Sequence, residues 1–111
     1  MTLRRGDAVW VEPGPALGGE QRGRRPYVVI SHEVFNTRLQ TCIAVALTSH
    51  APKVGYPLTM ELRTGDLPKR SWVKMSQVRT ISFLRIGRRI GRVDEAEVDR
   101  VVEGLAEIVG G

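Results

Sequence analysis

The stretch Gly18–Ser31, reading G-G-E-Q-R-G-R-R-P-Y-V-V-I-S, constrains this chain more than any other. A glycine-rich, charged loop runs straight into a short apolar strand. Gly18, Gly19 and Gly23 let the backbone turn sharply or lie close against another surface. Glu20, Arg22, Arg24 and Arg25 put one carboxylate and three guanidiniums within six residues. Pro26 fixes its own φ and drives Arg25 towards extended backbone, which predicts a strand over Tyr27–Ser31. Arg25 then stands at the mouth of a rigid element, where folds present reactive side chains.

The other segments read as short strands. Ala8–Glu12 alternates with period two and stops at Pro13. Pro13–Gly19 is turn chemistry, and the loop continues to Arg25; a long irregular loop in a small domain is often functional. His32–Asn36 reads as a polar connection with Phe35 turned inward. Thr41–Thr48 is apolar nearly throughout, as a central strand buried on both faces should be. Tyr56–Leu62 alternates again, with Pro57 restricting its start to an edge or entry position. Ser71–Val78 is a fifth strand, followed by a short turn near Arg85 and the basic segment Gly87–Gly91.

One helix is predicted, starting at Asp94. Asp94 and Glu97 have capping-box spacing, and Val98, Val101, Val102, Leu105, Ile108 and Val109 form one apolar face. That face either seals the core or offers a lid or partner surface. The whole chain of 111 residues reads as one domain. It is mainly β: a small, strongly curved antiparallel sheet or β-barrel with a C-terminal amphipathic helix.

Seventeen Lys+Arg against twelve Asp+Glu leave a net charge of +5, and arginine carries most of it, since lysine occurs only at positions 53, 69 and 74. Guanidinium suits bidentate recognition of phosphate. The balance points to a nucleic-acid partner or an acidic protein tail, or to charge that serves only solubility. No apolar run approaches the ~20 residues of a membrane helix, and the N-terminus M-T-L-R-R-G-D has no apolar signal core, so no membrane partner and a cytoplasmic location are expected. Cys42, the single cysteine, sits in an apolar run and is expected to be a buried free thiol.

His32 and His50 are isolated, without metal-ligand spacing, so neither a metal nor another cofactor is expected. His50 is the one retained as a neighbour of an active site, because it follows Thr48 closely. No P-loop, dinucleotide fingerprint, H-E-x-x-H or G-x-S-x-G occurs. What remains is arginine, glutamate and hydroxyl chemistry. Arg25 and Thr48 each lie at a strand end, and in one curled sheet such ends converge. A guanidinium neutralises charge growing on non-bridging phosphate oxygens, and a hydroxyl donates one more hydrogen bond. RNA brings its own nucleophile, the 2′-hydroxyl, so its cleavage needs neither metal nor protein nucleophile. Arg25 as a residue that only positions phosphate, or holds a salt bridge, stays open at this point.

The blocks R-G-D-A-V-W-V-E-P, G-G-E-Q-R-G-R-R-P-Y-V-V-I-S, V-A-L-T-S and Q-V-R-T-I together resemble the MazF/PemK-type toxin endoribonucleases of type II toxin–antitoxin systems. The G-x-E-Q-x-G-x-R-P pattern is the specific one, and the resemblance runs roughly from Arg5 to Val109. It implies a small SH3-like barrel with a C-terminal helix, working as a homodimer. It implies sequence-specific, metal-independent cleavage of single-stranded RNA to a 2′,3′-cyclic phosphate and a 5′-hydroxyl. It also implies a MazE-like antitoxin whose acidic C-terminal tail covers the RNA groove.

By position, Arg25 matches the family's catalytic arginine and Thr48 its catalytic threonine. Guanidinium stays protonated, which makes an arginine base chemically awkward, so Arg25 reads as electrophile and acid. Glu20 is then the candidate base, or else a salt-bridge partner of Arg22 or Arg24. Gly19, Gln21, Arg22, Arg24, Ser49, Gln77, Arg79 and Thr80 are the candidate substrate-binding residues, with structural hydrogen bonding as the other reading of Gln77, Arg79 and Thr80. The same fold hosts toxins that poison DNA gyrase without cleaving anything, which is the alternative function. A plain RNA-binding barrel is disfavoured, because aromatics available for stacking total only 5%.

Overall fold

In the computed structural model, which describes residues 1–12 and 23–110, the strands are β1 (Asp7–Val11), β2 (Arg25–Val29), β3 (Thr41–Thr48), β4 (Thr59–Leu62), β5 (Ser71–Ser82) and β6 (Ile86–Arg92). Two helices accompany them, α1 (Glu33–Leu39) and α2 (Glu95–Val109). The strands form one antiparallel sheet in the order β4-β5-β3-β2-β1-β6, with β4 and β6 as its two edges. Among the described residues the sheet is therefore open rather than closed into a full barrel.

Each face of the sheet buries its own cluster. Val9, Val11, Tyr27, Val29, Cys42, Ala44, Ala46 and Ile81 belong to the first. Val28, Val45, Leu47, Val73 and Met75 belong to the second, under Val98 and Val101 of α2. This explains why β3 is apolar at nearly every position: alternate residues enter opposite clusters. β3 meets β5 with Val45 opposite Val78 and then Leu47 opposite Val73. Several β5 residues thus face little of β3, a bulge that bends the strand.

The R-G-D tripeptide is structural. Gly6 adopts φ +100°, and a Cβ there would lie 2.6 Å from the Val93 carbonyl oxygen. Its backbone bridges elements distant in sequence: Gly6 N–H donates to Val29 O at 2.7 Å, and Val93 N–H donates to Gly6 O at 2.8 Å. Asp7, 1% exposed, accepts from the Arg4 backbone N–H and pairs with Arg89 and Arg92. A carboxylate this deep is tolerable only with such partners.

Several boundaries differ from the sequence reading. β2 begins at Arg25 and ends at Val29, not Tyr27–Ser31. The connection after it is a seven-residue helix, α1, so α2 is not the only helix. Phe35 is 57% exposed rather than turned inward. Asn36 takes the interior instead, because its side-chain N–H donates to both Leu3 O and Ser31 O. The strand read over Tyr56–Leu62 is confined to Thr59–Leu62, and β5 extends past Val78 to Ser82. The basic segment Gly87–Gly91 belongs to edge strand β6, where a Cβ on Gly91 would meet the Gly65 carbonyl oxygen at 2.0 Å.

Asp94 is the N-cap of α2 as the spacing predicts, but it makes no side-chain cap bond. Glu97 does not reach back to it. Its carboxylate accepts from Arg63 N–H, Thr64 N–H and the Thr64 hydroxyl, and the Thr64 hydroxyl accepts from Asp94 N–H. The helix start is therefore held by the turn after β4. The apolar face is only partly used: Val98, Val101 and Gly104 are buried, while Val102, Ile108 and Val109 remain exposed.

Candidate active site

Strand register sets one row of residues across the sheet. Val11 lies opposite Arg25, Thr48 opposite Trp72, and Trp72 opposite Glu61. Tyr27 opposite Ala46 is the outermost pair of the β2–β3 ladder, and Arg25 and Thr48, far apart in sequence, each lie two residues beyond it at the same end of these neighbouring strands. They share the face of Tyr27, Val29, Ala44 and Ala46, at the strand ends where that face opens to solvent. Arg25 is exposed and Thr48 half-buried.

The Thr48 hydroxyl accepts from the backbone N–H of His50 at 3.2 Å. That bond orients the side chain without using the hydroxyl hydrogen, which remains a donor for a ligand oxygen. His50 enters the site through this backbone group. Ser49 follows Thr48 and is exposed.

On β5, Arg79 lies opposite Ala44 and Thr80 opposite Ile43. Alternation puts Arg79 on the face of Arg25 and Thr48 and Thr80 on the other, while Gln77 lies in the bulged stretch between Val73 and Val78, where no β3 partner sets its face. Arg24 stacks its guanidinium on Trp10 at 5.2 Å from the ring centroid. Trp10 alternates with Val9 and Val11 on β1, so this stack lies off the face that holds Arg25. Gly19, Glu20, Gln21 and Arg22 lie outside the described residues.

Two residues on the Arg25 face were missed in the sequence: Trp72, half-buried directly across from Thr48, and Lys74, two residues further along β5. The alternation of S-W-V-K-M, with Val73 and Met75 as the buried partners, is the signal that could have found them. Beside Trp72, Arg70 makes two hydrogen bonds to Glu61 at 2.8 and 3.2 Å and stacks on the indole at 5.0 Å. The Arg70 hydrogen bond holds the Glu61 carboxyl below the usual carboxylate range. Burial pushes the Cys42 thiol up to about 11, so it is no nucleophile near neutrality. Among the described residues, no group of three or more His, Cys, Asp or Glu side chains could hold a metal ion, and no helix is long and apolar enough to cross a membrane.

Residues 4–109 match the family model described as PemK-like, MazF-like toxin of type II toxin-antitoxin system. The chain is 31% identical to endoribonuclease EndoA of Bacillus subtilis, covering 95% of this chain and 92% of that protein. It is 29% identical to endoribonuclease MazF6 of Mycobacterium tuberculosis, with 98% of each covered. Among solved structures, a MazE–MazF crystal form from Deinococcus radiodurans superposes with a TM-score of 0.84 at 26% identity, covering 99% of this chain and 97% of that one. MazF alone from the same organism gives 0.80 at 26% identity, over 100% and 99%. The open antiparallel sheet, the terminal helix and these matches along the whole length agree: the chain belongs to the PemK-like, MazF-like toxins of type II toxin–antitoxin systems and is an endoribonuclease.

Proposed function

We propose that this endoribonuclease cuts single-stranded RNA, at sites of defined sequence, by internal transesterification on a phosphate held between Arg25 and Thr48. The ribose 2′-oxygen forms a bond to phosphorus and the bond to the 5′-oxygen breaks. A 2′,3′-cyclic phosphate and a 5′-hydroxyl result. The Arg25 guanidinium neutralises charge gathering on the non-bridging oxygens and donates towards the departing oxygen, and the Thr48 hydroxyl donates a second hydrogen bond. Glu20 is the proposed acceptor of the 2′-hydroxyl proton. Gly19, Gln21, Arg22, Ser49, Gln77 and Arg79 are proposed to hold the strand, together with Arg24 and Thr80 at its margins.

The observation that supports this reading is the antiparallel β2–β3 ladder, whose outermost pair, Tyr27 and Ala46, leaves Arg25 and Thr48 at the same end of neighbouring strands and on one face. With the nucleophile supplied by the substrate, the reaction is proposed to run without metal. The same placement of Arg25 and Thr48 favours a nuclease over a gyrase-poisoning toxin, which needs neither group. We further propose that the protein acts as a homodimer and is neutralised by a MazE-like antitoxin whose acidic C-terminal tail occupies the basic groove. The MazE–MazF assembly of the Deinococcus radiodurans relative supports that partner.

The test is digestion of defined RNAs in EDTA with mapping of both new ends. Cyclic phosphate and 5′-hydroxyl ends are expected, with cleavage by Arg25→Ala reduced about a hundredfold or more while the variant still folds. Activity abolished by the chelator, 3′-hydroxyl ends, or a fully active Arg25→Ala would overturn it.

A further inference from the structure

We infer that Trp72 is a stacking platform for the base of a nucleotide next to the scissile phosphate. This inference rests on the nuclease reading above and adds the residue that fixes one base of the substrate. Three observations meet at this side chain. It stands directly across from Thr48, on the face that carries Arg25. It is half-buried, so the indole is anchored in the sheet and still presents surface. And it is held in place: Arg70, tied to Glu61 by two hydrogen bonds, lies over one side of the ring. A stacked guanidinium fixes the indole before any ligand arrives and makes it a rigid platform.

Trp72 also lines an open cleft of about 410 Å³, together with Lys53, Val54, Tyr56 and Glu61. Arg70, which stacks on the indole, is not part of that lining. The cleft has the dimensions of a small-ligand site. Its lining combines aromatic and aliphatic residues, Trp72, Tyr56 and Val54, with Lys53 and Glu61, which supply a donor and an acceptor. That is the chemistry of a nucleobase, which has a π-face for the ring and polar edges for hydrogen bonding. A strand whose phosphate lies at Thr48 has its neighbouring base within reach of the residue opposite. Stacking there holds the backbone in register with Arg25, and the donor and acceptor favour some bases over others. Trp72 is thus a positioning and specificity residue, not a catalytic one.

The test compares wild type, Trp72→Ala and Trp72→Phe on an RNA substrate and on the same RNA made abasic at each position flanking the cut. Removal of one flanking base should lower kcat/KM of the wild type roughly tenfold or more. It should cost Trp72→Ala little further, because that variant has already lost the platform. Trp72→Phe should keep most of the effect. A role in folding alone would instead give equal abasic penalties in all three proteins, and that result would overturn the inference. A second readout does not depend on cleavage. In a Trp10→Phe background the remaining tryptophan fluorescence is that of Trp72, and a mixed-sequence 2′-O-methyl RNA should quench it. A protein that cuts RNA with no quench and equal penalties keeps the nuclease reading and loses this one. A protein that cuts nothing yet quenches loses the nuclease reading and keeps the platform.

Discussion

Cys42 lies on the same side of β3 as Ala44 and Ala46, yet the proposed chemistry is at the strand's far end, with Thr48. The difference is solvent. Cys42 is 2% exposed and its thiol is pushed up to about 11, so near neutrality it is a small apolar group. The linkage follows: a raised pKa leaves stability unchanged below the ordinary thiol range and lowers it as pH climbs through about 11. Native protein at pH 8 should therefore resist alkylation by iodoacetamide, whereas protein in urea should react fast. Rapid modification of the native form, followed by mass spectrometry, would contradict this burial. The burial was legible in the apolar run around Cys42. The interior place of Asn36 was not, because two carbonyls distant in sequence or across a turn, Leu3 O and Ser31 O, make its amide tolerable there.

At the scale of elements, helix α2 shows what spacing can and cannot reveal. Its start and its apolar face could be read from the positions of Asp94 and the valines. The partner of Glu97 could not, since Arg63 and Thr64 lie some thirty residues away in the chain. Glu97→Ala should lower stability by about 1–2 kcal/mol, the loss of a carboxylate that satisfies two backbone donors and a hydroxyl. Asp94→Ala should cost less than about half of that, because its side chain makes no cap bond. Urea melts of the two variants decide it, and the reverse order would restore the capping box. The short helix α1 was illegible for a related reason: its N-cap, His32, makes no side-chain cap bond. β6 was read only as a basic patch, because its apolar positions are few, its place beside β1 rests on the Asp7–Arg92 pair, and Gly91 fits it against the turn at Gly65.

For the whole molecule, net charge was a correct pointer with poor resolution. Arg5 pairs with Asp99, Arg70 with Glu61, and Arg89 and Arg92 with Asp7, so several arginines serve the fold. What selects Arg25 is topology: β2 and β3 run antiparallel, so it and Thr48 come to the same end of neighbouring strands, two residues beyond the Tyr27–Ala46 pair. Sequence blocks named both residues but could not show that they share one end of the sheet, and Trp72 was legible only through the alternation of S-W-V-K-M. The account stands on Arg25 and Thr48 acting together on one phosphate. A double-mutant cycle of cleavage rates measures that directly. Arg25→Ala is expected to lose about a hundredfold and Thr48→Ala about tenfold, with the double variant losing clearly less than the product, as residues that act as one unit do. Losses that simply multiply would mean that the two side chains work independently, and would contradict a shared site.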